Sequence, residues 1–157
     1  MKIIFLLIGK TDDQYLEQGI SIYSKRITKY IPFEMIMIPD IRNTKNLSRE
    51  QQKEKEGEQI LKRLVPGDFV VLLDEAGKAY NSVEFAQWLN TVFVSGYKRM
   101  VFVVGGPYGF SPKVYQQAQA KVSLSRMTFS HQLIRLIFVE QFYRAQTILH
   151  GEPYHHE

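Results

Sequence analysis

The 157-residue chain is 45% hydrophobic, enough to build a real core but too short for two full domains and a linker, so one domain spanning residues 1–157 is expected. Its net charge of +4, from 20 Lys and Arg against 16 Asp and Glu, suits an acidic partner such as RNA without requiring one. The absence of cysteine excludes disulfides, thiolate metal sites and cysteine nucleophiles.

In chain order, short apolar runs alternate with longer amphipathic ones. Lys2–Ile8 reads as a buried strand, because its apolar run is far shorter than the roughly 18 residues of a membrane span and Gly9–Asp13 is a poor leader-cleavage site. Asp12–Ser24 predicts a helix with Tyr15, Leu16, Ile20 and Tyr23 on one face. Phe33–Ile38, between Pro32 and Pro39, predicts a second strand, and Asp40–Asn46 a polar loop. Ser48, with Gln51 three residues on, opens a capped helix that runs to about Leu64 and stops at Pro66-Gly67. The charged stretch Ser48–Lys62 reads as a solvated helix face.

Phe69–Leu73 predicts a third strand, and Asn81 with Glu84 a capped helix through Phe85, Trp88 and Leu89. Met100–Val104 is a fourth strand, and Ser111-Pro112 supplies an N-cap followed by proline at the first helical position. Val122–Leu124 is a short fifth strand, His131–Leu149 a long helix, and Gly151–Glu157 a tail. Repeated strand–helix alternation predicts an α/β fold with a mainly parallel sheet and helices on both faces.

Four segments have residues suited to chemistry. Leu73–Lys78 follows a strand, where ligands of open parallel sheets bind, yet it also reads as an ordinary turn with its charges in water. Gly105–Gly109 lets backbone approach a ligand closely, but matches neither the dinucleotide nor the P-loop pattern and also reads as a tight turn before a capped helix. Ser123–Phe129, followed by Ser130 and His131, is a hydroxyl-rich strand break whose backbone groups are available to a ligand, with Ser130 serving equally as a helix cap. The tail reads as a disordered chain end, yet it also offers Tyr154 and His155 for stacking and hydrogen bonding to bases, while His155 and His156 alone do not make a metal site.

Taken together, Leu-Asp-x-x-Gly-Lys at Leu73–Lys78, Gly-Gly-Pro-x-Gly at Gly105–Gly109, Ser-Leu-Ser-x-Met-Thr-Phe at Ser123–Phe129, His131, Glu140–Ala145 and Pro-Tyr-His at Pro153–His155 resemble the ribosomal RNA large subunit methyltransferase H family. These are the pseudouridine N3-methyltransferases of the SPOUT superfamily, and the resemblance extends along the chain, including Lys2–Lys10 and Lys55–Gly57. It implies the SPOUT α/β-knot fold with a C-terminal trefoil knot. It further implies S-adenosylmethionine as methyl donor, no metal, a homodimer in the cytoplasm with no membrane association, and N3 of a pseudouridine in helix 69 of 23S rRNA, in the assembled ribosome, as acceptor.

By the same resemblance, Leu73, Gly105, Gly106, Leu124, Ser125, Arg126, Met127, Thr128 and Phe129 contact the donor, and Tyr154 and His155 approach the acceptor base across the dimer. His155 or an ordered water is the expected proton acceptor, with Tyr154 positioning the base. Two positions depart from the pattern: Ser130 stands where Pro is usual, and His156, only partly charged near neutral pH, where Arg or Lys is usual. The alternatives are a non-catalytic RNA-binding module of the same fold, against which the donor loop at Gly105–Gly109 argues, and a flavodoxin-like or dinucleotide-binding enzyme, whose fingerprint is missing.

Overall fold

In a computed structural model, which describes residues 1–156, five strands form one parallel sheet. They are β1 (Lys2–Ile8), β2 (Phe33–Ile38), β3 (Phe69–Ala79), β4 (Arg99–Val104) and β5 (Ala120–Ser123), ordered β2-β1-β4-β3-β5. The helices are α1 (Gln14–Ile27), α2 (Arg49–Arg63), α3 (Ser82–Phe93), α4 (Pro112–Gln117) and α5 (Leu133–Leu149), with a 3-10 turn at Thr44–Asn46.

Side chains alternate across the pleat, so one strand feeds two cores. Ile3, Phe5 and Leu7 of β1 and Phe102 of β4 pack with α1, α3 and α5 through Leu16, Ile20, Phe85, Leu89, Phe138 and Phe142. Ile4, Leu6 and Ile8, with Val101 and Val103, face the other way onto Ile60 of α2 and Val114 of α4. The rings of Phe5 and Phe102 lie 4.5 and 4.7 Å from that of Phe138, and each such ring contributes about 1.5–3 kcal/mol by leaving water. Among the described residues, no helix is long and apolar enough to cross a membrane.

The helix caps form as their sequences predict. The Ser48 hydroxyl accepts from the Gln51 amide while the Gln51 side chain accepts from the Ser48 amide, and the Ser111 hydroxyl accepts from the Val114 amide. The Asn81 side chain accepts from the Glu84 amide at 2.8 Å and donates to the Glu84 carboxylate at 2.7 Å. Asn81→Ala is expected to cost about 1 kcal/mol in a urea unfolding curve, with the slope unchanged.

Helix α1 and strand β5 are offset from the expected Asp12–Ser24 and Val122–Leu124, and three further expectations are corrected. Strand β3 continues to Ala79 instead of ending at Leu73: pairing with β5 stops at Leu73↔Val122 and resumes at Lys78↔Val122, so residues 74–77 bulge out of the ladder. The Asp74 carboxylate holds that bulge by accepting from the Ala76 amide at 2.8 Å. Helix α5 begins at Leu133, two residues late, and the turn that precedes it is closed by the Ser130 hydroxyl, which accepts from the Leu133 amide at 3.0 Å. Helix α2 is not solvated throughout: Glu54, Lys55 and Glu58 are exposed, but Glu56, Gly57 and Ile60 are buried.

Candidate functional site

Because the sheet is parallel, the carboxyl ends of β3, β4 and β5 open on the same edge. The bulge within β3 and the loops leaving β4 and β5 enclose a cavity of about 490 Å³, within the range of sites for drug-sized ligands.

From β3, Leu73, Asp74 and Glu75 form one wall. The Tyr115 phenol of α4 donates to the Asp74 carboxylate. Burial, and then that hydrogen bond, push the Tyr115 phenol up to about 12, so it stays protonated at neutral pH. From β4, Gly105, Gly106, Pro107 and Gly109 form the second wall, closed by a bridge in which the Gly109 amide donates to the Gly106 carbonyl at 3.2 Å. Gly109 sits at φ +84°, a conformation that favours glycine. A Cβ on Gly106 would meet the Glu56 carboxylate, so a side chain there would have to displace that carboxylate.

From β5, the Ser123 hydroxyl donates to the Ser125 carbonyl at 2.8 Å, and the Ser125 hydroxyl accepts from the Met127 amide at 2.9 Å. These bonds turn the chain so that Leu124, Ser125, Met127, Thr128 and Phe129 line the third wall. Ser130, His131 and Ile134 continue it onto α5.

Of the residues expected to contact a donor, Leu73, Gly105, Gly106, Leu124, Ser125, Met127, Thr128 and Phe129 therefore share one cavity. Arg126, between two of them, is exposed and not part of the lining.

Tyr154 and His155 lie elsewhere, where the tail folds back on α5. The Tyr154 phenol donates to Glu140 at 3.1 Å and meets the Tyr23 hydroxyl at 3.5 Å, with the Arg144 guanidinium 4.7 Å from its ring centre. Burial, then the Tyr23 contact and the Glu140 carboxylate, hold the Tyr154 phenol well above its ordinary range, so it is a donor and not a base. The Arg144 guanidinium, itself paired with Glu140 at 2.6 Å, donates to His155 Nδ1 at 3.1 Å, which leaves the neutral ring's proton on Nε2. His156 is exposed. Glu140 follows the pocket residue Ile134 by about 9 Å of helix rise and about 240° of rotation, so this cluster and the cavity occupy different faces of α5.

Besides Tyr115, two residues of this region were given no role by sequence reasoning. Arg135 is 1% exposed. It donates to the carbonyls of Ile8 (2.8 Å), Gly9 (2.9 Å) and His131 (3.1 Å) and to the Thr11 hydroxyl (3.1 Å), tying the end of β1 to the pocket end of α5. Its signal was a charge inside the apolar run Leu133–Val139. Glu56 is 4% exposed, and burial raises its carboxyl above the ordinary range. Its signal was weaker, a Glu-Gly step within a polar helix.

A family model described as "Predicted SPOUT methyltransferase" matches residues 1–155. The chain is 62% identical to the "Ribosomal RNA large subunit methyltransferase H" of Parabacteroides distasonis over the full length of both chains. It is 58% identical to the protein of that name from Bacteroides fragilis and 56% to that from Flavobacterium johnsoniae, again over the whole of each.

Proposed function

The chain belongs to the SPOUT methyltransferase family, and from that premise we propose that it is a ribosomal RNA methyltransferase acting on N3 of a pseudouridine in helix 69 of 23S rRNA, within the assembled ribosome. The same reading makes residues 1–157 one catalytic domain with a C-terminal trefoil knot, working as a cytoplasmic homodimer with S-adenosylmethionine as donor.

The observation that carries it is the convergence of the β3 bulge and the loops leaving β4 and β5 on one cavity. The residues there fit such a donor. Leu73, Val104 and Phe129 offer apolar walls to a heterocycle. Backbone at Gly105 and Gly106 lines the cavity, and hydroxyls at Ser125 and Thr128 offer hydrogen bonds. Bound there, S-adenosylmethionine supplies an electrophilic sulfonium methyl group. The chain's task is then placement, holding the acceptor nitrogen in line about 3–3.5 Å from the carbon.

Tyr154 and His155 serve the acceptor side of a partner protomer in this reading. Their position on a different face of α5 from the cavity supports action across a dimer. The bound base takes the place of Glu140 and Arg144 as partner, so that the Tyr154 hydroxyl donates to it and His155 Nδ1 accepts the N3 proton. His155→Ala is expected to lower the single-turnover rate about 100-fold at saturating ribosomes. An unchanged rate would assign the proton to an ordered water.

Thermal unfolding separates the reading from a dinucleotide- or flavin-binding one. At 100 times the dissociation constant, S-adenosylmethionine or its demethylated product should add about 2.7 kcal/mol of stability, with no shift from NAD or FMN. Stabilisation by NAD or FMN alone would contradict it.

A further inference from the structure

A second cavity, of about 310 Å³, adjoins the donor pocket and shares Gly106, Pro107 and His131 with it. Methyl transfer requires the acceptor to share a wall with the donor. Two other cavities do this less well: one, at Tyr115–Lys121, touches the donor pocket through Tyr115 alone, and the other, at Pro39–Gln59, shares no lining residue with it.

The polar walls of the adjoining cavity are Asp40, Thr44, Gln52 and Glu56. Asp40 and His131 are exposed and stand at its rim, whereas Glu56 is 4% exposed and forms its floor. The Gln52 amide donates to Glu56 Oε2 at 3.3 Å, but among the described residues Oε1 has no hydrogen-bond partner. Such an oxygen is uncommon in a folded protein, where buried polar atoms are nearly always paired. It is explained if a ligand supplies the missing donor. Enzymes that modify a base take it out of the stack and read its edge by hydrogen bonds in a pocket.

We propose that this cavity receives the acceptor pyrimidine and that Glu56 accepts the N1–H that a pseudouridine has and a uridine lacks. The inference rests on the rRNA methyltransferase reading above and adds to it a residue that determines base specificity. In uridine N1 carries the sugar; in pseudouridine the sugar is on C5 and N1 keeps a hydrogen. The two nucleosides therefore differ in one donor, and a buried oxygen lacking a donor is the group that tells them apart. The carboxyl does this in either protonation state, since the neutral acid retains an acceptor oxygen. Gly106 belongs to the same device, because any side chain there would occupy the space in which the carboxyl lies.

The test is single-turnover methylation at saturating S-adenosylmethionine. One set of ribosomes carries pseudouridine at the target, and the other, from a strain lacking the pseudouridine-forming enzyme, carries uridine. The native enzyme should prefer pseudouridine by at least about tenfold, the worth of one hydrogen bond to a buried group. Glu56→Gln keeps an acceptor oxygen and should retain that preference within about threefold, whereas Glu56→Leu should reduce it to below about twofold. Donor affinity, measured calorimetrically without ribosomes, should change less than about threefold in both variants.

An undiminished preference in Glu56→Leu would overturn the proposal. So would a rate loss that raised donor concentration restores, since Glu56 would then act only through the Gly106 loop. A native enzyme indifferent to the two bases would also overturn it, while leaving the methyltransferase reading standing. That reading itself fails, and this one with it, if the native enzyme binds the donor but methylates neither ribosome.

Discussion

Replacing Arg135 with methionine is expected to lower the unfolding free energy by about 3 kcal/mol, a drop in melting temperature of roughly 6–12 °C for a chain of this size. The guanidinium is fully buried, and its hydrogen bonds go to three carbonyls and a hydroxyl instead of a carboxylate. Methionine fills much of the volume but donates nothing, so the carbonyls of Ile8, Gly9 and His131 lose a partner in a dry region. Each costs about 1–3 kcal/mol if left unpaired. Against this stands the desolvation of the cation, which burial makes strong enough to lower the Arg135 pKa, and which the substitution relieves. Three orphaned carbonyls outweigh it. Because Arg135 anchors the end of α5 that contributes His131 and Ile134 to the cavity, donor affinity should fall with stability. A loss under about 1 kcal/mol in urea unfolding would show that water replaces the guanidinium at little cost.

Gly77→Ala should act on the opposite wall, at a cost of about 2–4 kcal/mol. A Cβ at Gly77 would lie 2.6 Å from both the carbonyl carbon of Lys121 and the amide nitrogen of Val122. These are backbone atoms of β5, so no side-chain rotation relieves the clash. The strand must move away, and the pairs Lys78↔Val122 and Ala79↔Ser123 that close the bulge would be lost. Strand β5 leads directly into Leu124–Phe129, so displacement of the strand moves the third wall of the cavity. Donor affinity, measured by calorimetry, should therefore drop at least about tenfold in protein that is still folded at the assay temperature. Native affinity in a destabilised Gly77→Ala protein would separate the bulge from the pocket.

These two positions mark where reading along the chain succeeds and where it stops. Strands were legible because Ile3–Ile8, Val70–Leu72 and Met100–Val104 are continuous apolar runs, as in a parallel sheet covered on both faces. Helix starts were legible at Ser48, Asn81 and Ser111 because capping is local chemistry, contained within four residues. The bulge after Leu73 was not, since it depends on β5 approaching Gly77 from more than forty residues away. The pairing of Arg135 with Ile8 and Gly9 is longer-range still.

The site divides the same way. Each of its loops has a local peculiarity, glycines at Gly105–Gly109 and hydroxyls at Ser123–Ser130, but nothing local says that they share a cavity. The resemblance to known methyltransferases supplied that link, and the cavity has most of the residues it named. It gave no role to Tyr115, which reaches the first wall from α4, or to Glu56 of the resembling segment Lys55–Gly57, which supports the second from α2. Glu56 arrives from a helix whose sequence reads as a solvated face. The tail is the reverse case. Tyr154 and His155 were conspicuous in the sequence, but their hydrogen bonds with Glu140 and Arg144 fix them on another face of α5 from the cavity of their own chain.

Methyl transfer to the ribosome is measured by offering labelled S-adenosylmethionine and this protein to ribosomes from a strain lacking the enzyme, and in parallel to isolated subunits. One methyl group per assembled ribosome is expected, located at N3 of a pseudouridine in helix 69, and none on isolated subunits. Label elsewhere in the RNA, or none despite bound donor, would contradict the proposed function.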